Sequence, residues 1–258
     1  MNLPNQITPL ILTYNEAPNI KRTLEKLAWA KQIVVVDSFS TDDTVAICQR
    51  HPQVELVQRK FEDHASQWNF GLAQIKTEWV LSLDADYLLS DAFVQELRDW
   101  TPSDGVNAYS APFKYCVQGR LLRASLYPPR PVLFRPERCR YTQNGHTQKL
   151  QIEGATGRLS QFIHHDDRKP LERWFQEQNH YARLEAQHLL AASNGKLNLP
   201  DRLRRSIVVA PGLVFLYTLF AKGLILDGWP GWYYVAQRTL AELMLSMRLI
   251  EKKLKAEN

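Results

Sequence analysis

Apolar positions along the first hundred residues follow two alternating rhythms. Short continuous runs occur at Leu10–Leu12, Ile33–Val36, Val54–Val57 and Trp79–Leu83, each too brief for a helix and bounded by polar residues. Between and after them, Ala17–Leu27, Thr44–Arg50, Ala65–Ile75 and Phe93–Trp100 place apolar side chains three and four apart, the helical period. Strands separated by helices of this length predict right-handed βαβ crossovers. The expected fold is α/β, a Rossmann-like, mostly parallel sheet flanked by helices. Such sheets bind ligands beyond the carboxyl ends of their strands, so the residues just after each apolar run are the ones to search for chemistry.

From Ala108 to Ile163 the rhythm breaks. Pieces such as Tyr109–Tyr115 and Val132–Phe134 are interrupted by Pro112, Pro128, Pro129, Pro131 and Pro136, which predicts loop-rich extended structure and a mixed sheet flanking the site. Helical spacing returns at Leu171–Ala192 and runs to the C-terminus, with breaks at Asn194-Gly195 and Gly228–Gly231. A boundary near Lys169-Pro170 gives an α/β domain over residues 1–168 and a helical C-terminal region over 169–258.

Composition changes this picture in one place. The chain of 258 residues is 45% hydrophobic and 23% charged, enough for one large core with a helical appendage. Its net charge of +5 is uneven: residues 1–195 carry 22 Lys+Arg against 22 Asp+Glu, and residues 196–258 carry 10 against 5. Within this basic tail, Ile207–Leu226 bears a single charge, Lys222, and contains Pro211 and Gly212. At about 20 residues, the minimum for a spanning helix, an early break and a late charge argue against a transmembrane segment. They predict an amphipathic hairpin on an anionic membrane surface, with Arg202, Arg204 and Arg205 before it and Trp229, Trp232, Tyr233 and Tyr234 after it. Packing of the same aromatics into an ordinary helical core is the competing expectation. Basic residues interleaved with long apolar runs make no polar stripe, so nucleic acid is not an expected partner. Cys48, Cys116 and Cys139 form neither a disulfide framework nor a paired metal motif, and the first residues lack the basic-then-apolar pattern of a signal peptide. The expected location is therefore the cytoplasm, peripheral to the cytoplasmic face of the inner or plasma membrane.

Three strand ends carry candidate chemistry. The first run is followed by Thr13-Tyr14-Asn15-Glu16, the second by Asp37-Ser38-Phe39-Ser40-Thr41-Asp42-Asp43, and the fourth by Asp84-Ala85-Asp86. Two carboxylates one residue apart can both turn toward a hard divalent cation, Mg²⁺ or Mn²⁺, which keeps open positions for phosphate oxygens. Capping of the following helix is the alternative for such acids. Asp37, at the end of a buried strand, can accept hydrogen bonds from a base or a ribose. Ser40, Thr41 and Asp42 suit the cap of the next helix. Neither GxGxxG nor GxxxxGK[ST] is present.

Taken in order, Leu10–Glu16, Val35–Asp42, Asn69-Phe70-Gly71 and Leu83–Asp86 resemble the family 2 inverting glycosyltransferases with the GT-A fold. A looser likeness extends through Gly145-His146 to Gly223–Gly228 and is similar to the lipopolysaccharide-core and related cell-surface glycan transferases of that family. The resemblance implies a nucleotide-sugar donor, UDP-sugar first among them, and a glycan or lipid-linked acceptor. It implies that Thr13, Tyr14, Glu16, Asn69 and Asp37 line the donor pocket, Asp37 holding the base. Asp84 and Asp86 would hold the sugar diphosphate through the metal, and a late histidine, His164 or His165, would complete the metal shell. Two departures stand out. Ser38 replaces a frequent second acid, and Trp68 replaces a frequent Arg before Asn69, which removes a cationic partner for the donor. Inversion needs a base for the acceptor hydroxyl. Where similar transferases carry Gly-x-x-His-Glu, this chain has Gly145-His146-Thr147, so His146, Asp166 and Asp167 are the candidate proton acceptors. Helix capping by Asp166 or Asp167 competes with that role. Nucleotidyl transfer is the rival chemistry, and the turn after the first strand lacks the glycines it would need. A non-catalytic, membrane-recruited binding module is the rival outside enzymology.

Overall fold

The structure, a computed structural model, describes residues 6–144, 147–191, 197 and 199–257. It divides into two compact units, Met1–Cys116 with Tyr127–Arg168, and Val117–Leu126 with Lys169–Asn258.

In the first unit β1 (Ile7–Thr13), α1 (Ile20–Lys26), β2 (Ile33–Asp37), α2 (Thr44–Gln49), β3 (Val54–Gln58), α3 (His64–Leu72) and β4 (Trp79–Asp84) alternate along the chain. They are followed by β5 (Tyr87–Leu89), α4 (Asp91–Asp99), β6 (Val106–Ala111) and β7 (Phe113–Val117). After the short β8 (Arg120–Leu121), which belongs to the second unit, come β9 (Arg130–Phe134), β10 (Cys139–Asn144), β11 (Thr147–Ile152), β12 (Ala155–Arg158) and β13 (Ile163–His165). The main sheet has the order β12-β6-β9-β4-β1-β2-β3. Its β4-β1-β2-β3 half is parallel throughout, as the apolar runs predict. Alternate strand residues serve opposite faces, and both faces are covered. Ile11, Val35 and Leu81 pack with Ile20, Leu24 and Phe93, whereas Leu10, Val36 and Val80 pack with Trp68 and Leu72. This two-sided burial is why the strands read as continuous apolar runs and not as an alternation.

The proline-rich stretch differs from its expectation. Instead of merely flanking the site, β9 enters the middle of the main sheet, antiparallel to β4 and to β6. Proline has no amide to donate and is excluded from regular central strands. Pro131 is tolerated because it pairs with Ser110 where the β6/β9 register shifts. β5, β13 and β7 form a second small sheet, and β10 pairs with β11.

The second unit contains α5 (Leu171–Ala191), α6 (Leu199–Arg205), α7 (Val209–Leu216) and α8 (Trp229–Glu257), with a π turn at Tyr217–Ala221 and a 3-10 turn at Leu224–Asp227. Ala182, Ala186 and Leu189 of α5 pack with Leu245 and Leu249 of α8. The predicted break at Gly228–Gly231 is confined to Gly228, whose φ is +62°, and α8 runs through Gly231. A Cβ on Gly231 would lie 2.0 Å from the Leu224 carbonyl oxygen, so glycine is required there for close approach and not to end a helix. Segment 117–126 is tied to this unit by the Arg123–Asp227 ion pair at 2.7 Å and by the Leu126 amide donating to the Tyr234 hydroxyl at 2.8 Å. Arg204, expected to face headgroups, instead donates to both carboxylate oxygens of Glu242 on α8. Much apolar surface is nevertheless open. Val208 is 81% exposed, Leu226 70% and Phe220 57%, and Leu216, Trp229 and Trp232 are exposed as well.

Candidate active site

The parallel register fixes the site. Thr13 is the partner of Asp37, and Leu12 is the partner of Asp84, so β1 ends between two strand-end carboxylates. Asp37 and Asp84 thus sit on either side of it, roughly 10 Å apart at two interstrand spacings.

Asp37 is fully buried. Oδ2 accepts from Thr13 Oγ1 at 3.0 Å and from Ser40 Oγ at 2.5 Å, and Oδ1 accepts from Ser40 N at 2.9 Å and Gln58 Nε2 at 3.0 Å. Around it the turn after β1 and the loop after β2 are laced together. Asn15 N donates to Ser40 Oγ, Glu16 N to Thr44 Oγ1 and Ala17 N to Asp42 Oδ2, while Thr41 N donates to Asn15 Oδ1. Asp42 Oδ1 accepts from the Thr44 amide, and so supports the start of α2 as its sequence position suggested. Asn15 and Phe39 hold positive φ values of +55° and +61°, a region that residues other than glycine seldom enter. The side chains of Tyr14 and Phe39 are about half exposed. Glu16 accepts from Asn19 through Oε2.

The Asp84-Ala85-Asp86 turn is anchored from both sides. Thr23 Oγ1 donates to the Ala85 carbonyl at 2.6 Å, and the Asp166 amide donates to the Asp86 carbonyl at 3.1 Å. Asp86 is buried, and its Oδ2 lies 3.2 Å from His165 Nε2. Rings of Tyr87, Tyr115 and Tyr127 pack around His165, centroid to centroid 4.7 to 5.4 Å. Burial, the largest single influence, works against a charged imidazole, but the carboxylates of Asp86, Asp84 and Asp167 together outweigh it and the His165 pKa is raised. His164, next along β13, points elsewhere; burial and Lys114 lower its pKa. The strand alternation therefore gives His165, not His164, to the carboxylates.

The other candidates fall into two groups. Asp166 is 2% exposed and is gripped by Arg22, 2.8 Å to Oδ2, and by Arg168, 2.8 to 3.0 Å to both oxygens. Asp167 accepts from Asn19 Nδ2 at 2.9 Å, and Asn19 Oδ1 in turn accepts from Arg22 and from the Arg168 amide. This buried lattice ties the turn after β1 to the chain after β13. Sequence reading missed its hub, Asn19, because a lone Asn ahead of a helix reads as an ordinary cap. Asn69 departs from its expected place at the donor: it donates to the Tyr141 carbonyl and accepts from the Tyr141 amide, bracketing α3 to β10. Trp68 is buried and stacks on Tyr141, whose hydroxyl meets Ser82 at 2.9 Å, so no cation stands at this position. His146 lies outside the described residues. Among the described residues no group of three His, Cys, Asp or Glu side chains converges as a ready-made metal cage. Asp84 and Asp86 offer the oxygen donors that Mg²⁺ and Mn²⁺ prefer, ions that take further ligands from phosphate.

A parallel αβ sheet with an Asp-x-Asp turn at its carboxyl edge and a smaller mixed sheet beside it defines a fold of the GT-A type. Residues 10–168 match the family model of Glycosyl transferase family 2, and the chain belongs to that family. It is 31% identical over 135 residues to an uncharacterized glycosyltransferase of Rickettsia bellii (strain RML369-C), covering 52% of this chain and 44% of that one. It is 30% identical over 100 residues to the lipopolysaccharide core biosynthesis glycosyltransferase LpsC of Rhizobium meliloti (strain 1021), covering 37% of this chain and 36% of that one. The chain thus spans less than half the length of these curated relatives. The crystal structure of S. aureus TarS 1-349 in complex with UDP-GlcNAc aligns with a TM-score of 0.50 over 98% of this chain and 92% of that one, at 14% identity, a likeness of fold.

Proposed function

We propose that this chain transfers a sugar, with inversion, from a UDP-sugar to a hydroxyl of a glycan or lipid-linked acceptor. The observation that carries the reading is the placement of Asp37 and the Asp84–Asp86 turn on opposite sides of the β1 terminus, a span that suits a base at one end and a diphosphate at the other. Thr13 orients Asp37, and the laced Asn15–Ala17 and Ser40–Thr44 segments form the wall of the nucleoside pocket, with Tyr14 and Glu16 on its rim. Asp84 and Asp86, with His165 behind Asp86, would hold Mg²⁺ or Mn²⁺, which supplies positive charge to the departing diphosphate. The acceptor hydroxyl attacks in line and gives up its proton to a base. The pairing of Asp166 with Arg22 and Arg168 argues against it as that base and favours His146 or Asp167 for the role.

Asp37→Asn tests the donor pocket. It should weaken UDP and uridine alike, by about 1.5–3 kcal/mol in calorimetric titration, the worth of a hydrogen bond to a charged group. Undiminished uridine affinity in a folded variant would remove Asp37 from the base site.

We also propose that the second unit rests on an anionic membrane surface. Among the described residues no helix is long and apolar enough to cross a membrane. The exposed Leu216, Phe220, Leu226, Trp229 and Trp232, with Lys222 among them, combine an apolar face, interfacial aromatics and positive charge. The chain should co-sediment with vesicles containing anionic lipid, less with neutral ones, and be partly released by salt. Phe220→Ser with Leu226→Ser should reduce the bound fraction by about tenfold, since each removes apolar area worth roughly 1 kcal/mol or more. A chain that stays in the supernatant at low salt would end the membrane assignment.

A further inference from the structure

One cation near the Asp84–Asp86 turn is unaccounted for by the interactions above. β9 runs antiparallel beside β4, which brings its first residue, Arg130, to the carboxyl end of β4. Asp84, Tyr87, Tyr127 and Tyr141 lie within electrostatic reach of its guanidinium, which rests over the Tyr127 ring with Cζ 4.5 Å from the centroid. Several other cations of this unit are engaged with acids, among them Arg22 and Arg168 with Asp166, Lys26 with Asp91, and Arg59 with Glu62. Arg130 is exposed and has no carboxylate within 4.0 Å among the described residues.

Charge arithmetic gives this placement a purpose. A divalent ion held by Asp84 and Asp86 would have its charge formally cancelled by the two carboxylates, and would leave the donor's diphosphate without a net countercharge. That charge grows on the leaving group as the glycosidic bond breaks. The frequent arginine ahead of Asn69 is absent, and the buried Trp68 fills its place. A guanidinium can bind phosphate oxygens through two parallel N–H donors, and its face can remain stacked on a tyrosine meanwhile. We infer that Arg130 is a donor-binding residue that grips the diphosphate of the nucleotide sugar, doing from β9 what an arginine on α3 would otherwise do. This inference rests on the donor reading of the preceding section.

The test is equilibrium binding of UDP and of uridine, with and without Mn²⁺, to the full chain and to its Arg130→Gln and Arg130→Lys variants. Thermal unfolding is followed in parallel. Arg130→Gln should weaken UDP by at least about tenfold, leave uridine unchanged, and flatten the salt dependence of UDP binding. Arg130→Lys should recover part of the loss, because the charge returns without the two-pronged geometry. If Arg130 only props Tyr127, the Gln variant unfolds earlier while its UDP-to-uridine affinity ratio stays that of the parent chain, which overturns the inference. Equal weakening of UDP and uridine also overturns it. A parent chain that binds uridine but gains nothing from the diphosphate refutes the role of Arg130 alone. A parent chain that binds neither refutes the donor reading and, with it, this inference.

Discussion

Asp86→Asn should lower sugar transfer by at least about a hundredfold, the loss expected when a major electrostatic stabiliser of the leaving group is removed. The carboxylate is buried in the turn between β4 and β5, its residue's main-chain carbonyl is fixed by the Asp166 amide, and Oδ2 faces His165. An amide of the same shape fits this space but offers a metal no charge. Mn²⁺-dependent UDP binding should disappear with activity, whereas uridine binding should persist. A structural side effect has a distinct signature. The His165 pKa is raised, so the Asp86–His165 pair contributes stability below the ordinary histidine pKa near 6.5, and that contribution fades as pH rises through the raised value. Any melting deficit of Asp86→Asn should therefore be largest in acid and vanish in alkali, while the loss of transfer remains at every pH. Near-normal turnover in a folded variant would exclude the metal site.

The second large effect is on stability. Asp166→Ala should destabilise the α/β unit by about 3 kcal/mol in urea unfolding, because it strands two arginines around a site once filled by a buried carboxylate. Arg22 and Arg168 are 27% and 31% exposed, so water can reach them in part, which puts the cost at the lower end for a broken buried pair. Turnover of the surviving folded fraction should stay close to that of the parent chain. A variant as stable as the parent that no longer transfers sugar would make Asp166 the base after all.

These two aspartates show how much of the site could be read in advance. The placement of Asp37, Asp84 and Asp86 was legible because acids at or just past the end of a buried apolar run lie at the carboxyl edge of a parallel sheet. Asp166 looked equally chemical in His-His-Asp-Asp, yet what it does depends on Arg22, 144 residues away, and on a hub at Asn19. No local pattern reports such a pairing. The choice between His164 and His165 was hidden for a related reason: it needs strand phase, and three residues of β13 give too short a period to read. Arg130 was lost in a run of prolines that signals loop. The strand there survives only because Pro131 falls where the register with β6 shifts, a tolerance set by the neighbouring strand and not by the run itself.

The lacing of the turn after β1 to the loop after β2 has a kinetic and calorimetric consequence. The main-chain N–H groups of Asn15, Glu16, Ala17 and Thr41 each end on a side-chain oxygen of the opposite segment. Those amides are thus held in hydrogen bonds, and their deuterium uptake should be governed by opening of the whole turn instead of by individual residues. On the donor reading proposed above, a nucleoside meeting this wall would have little chain left to order, and the entropy of arranging it would be lost once, during folding. The left-handed backbone at Asn15 and Phe39 lies in the same laced segments, whose hydrogen bonds hold it against relaxation.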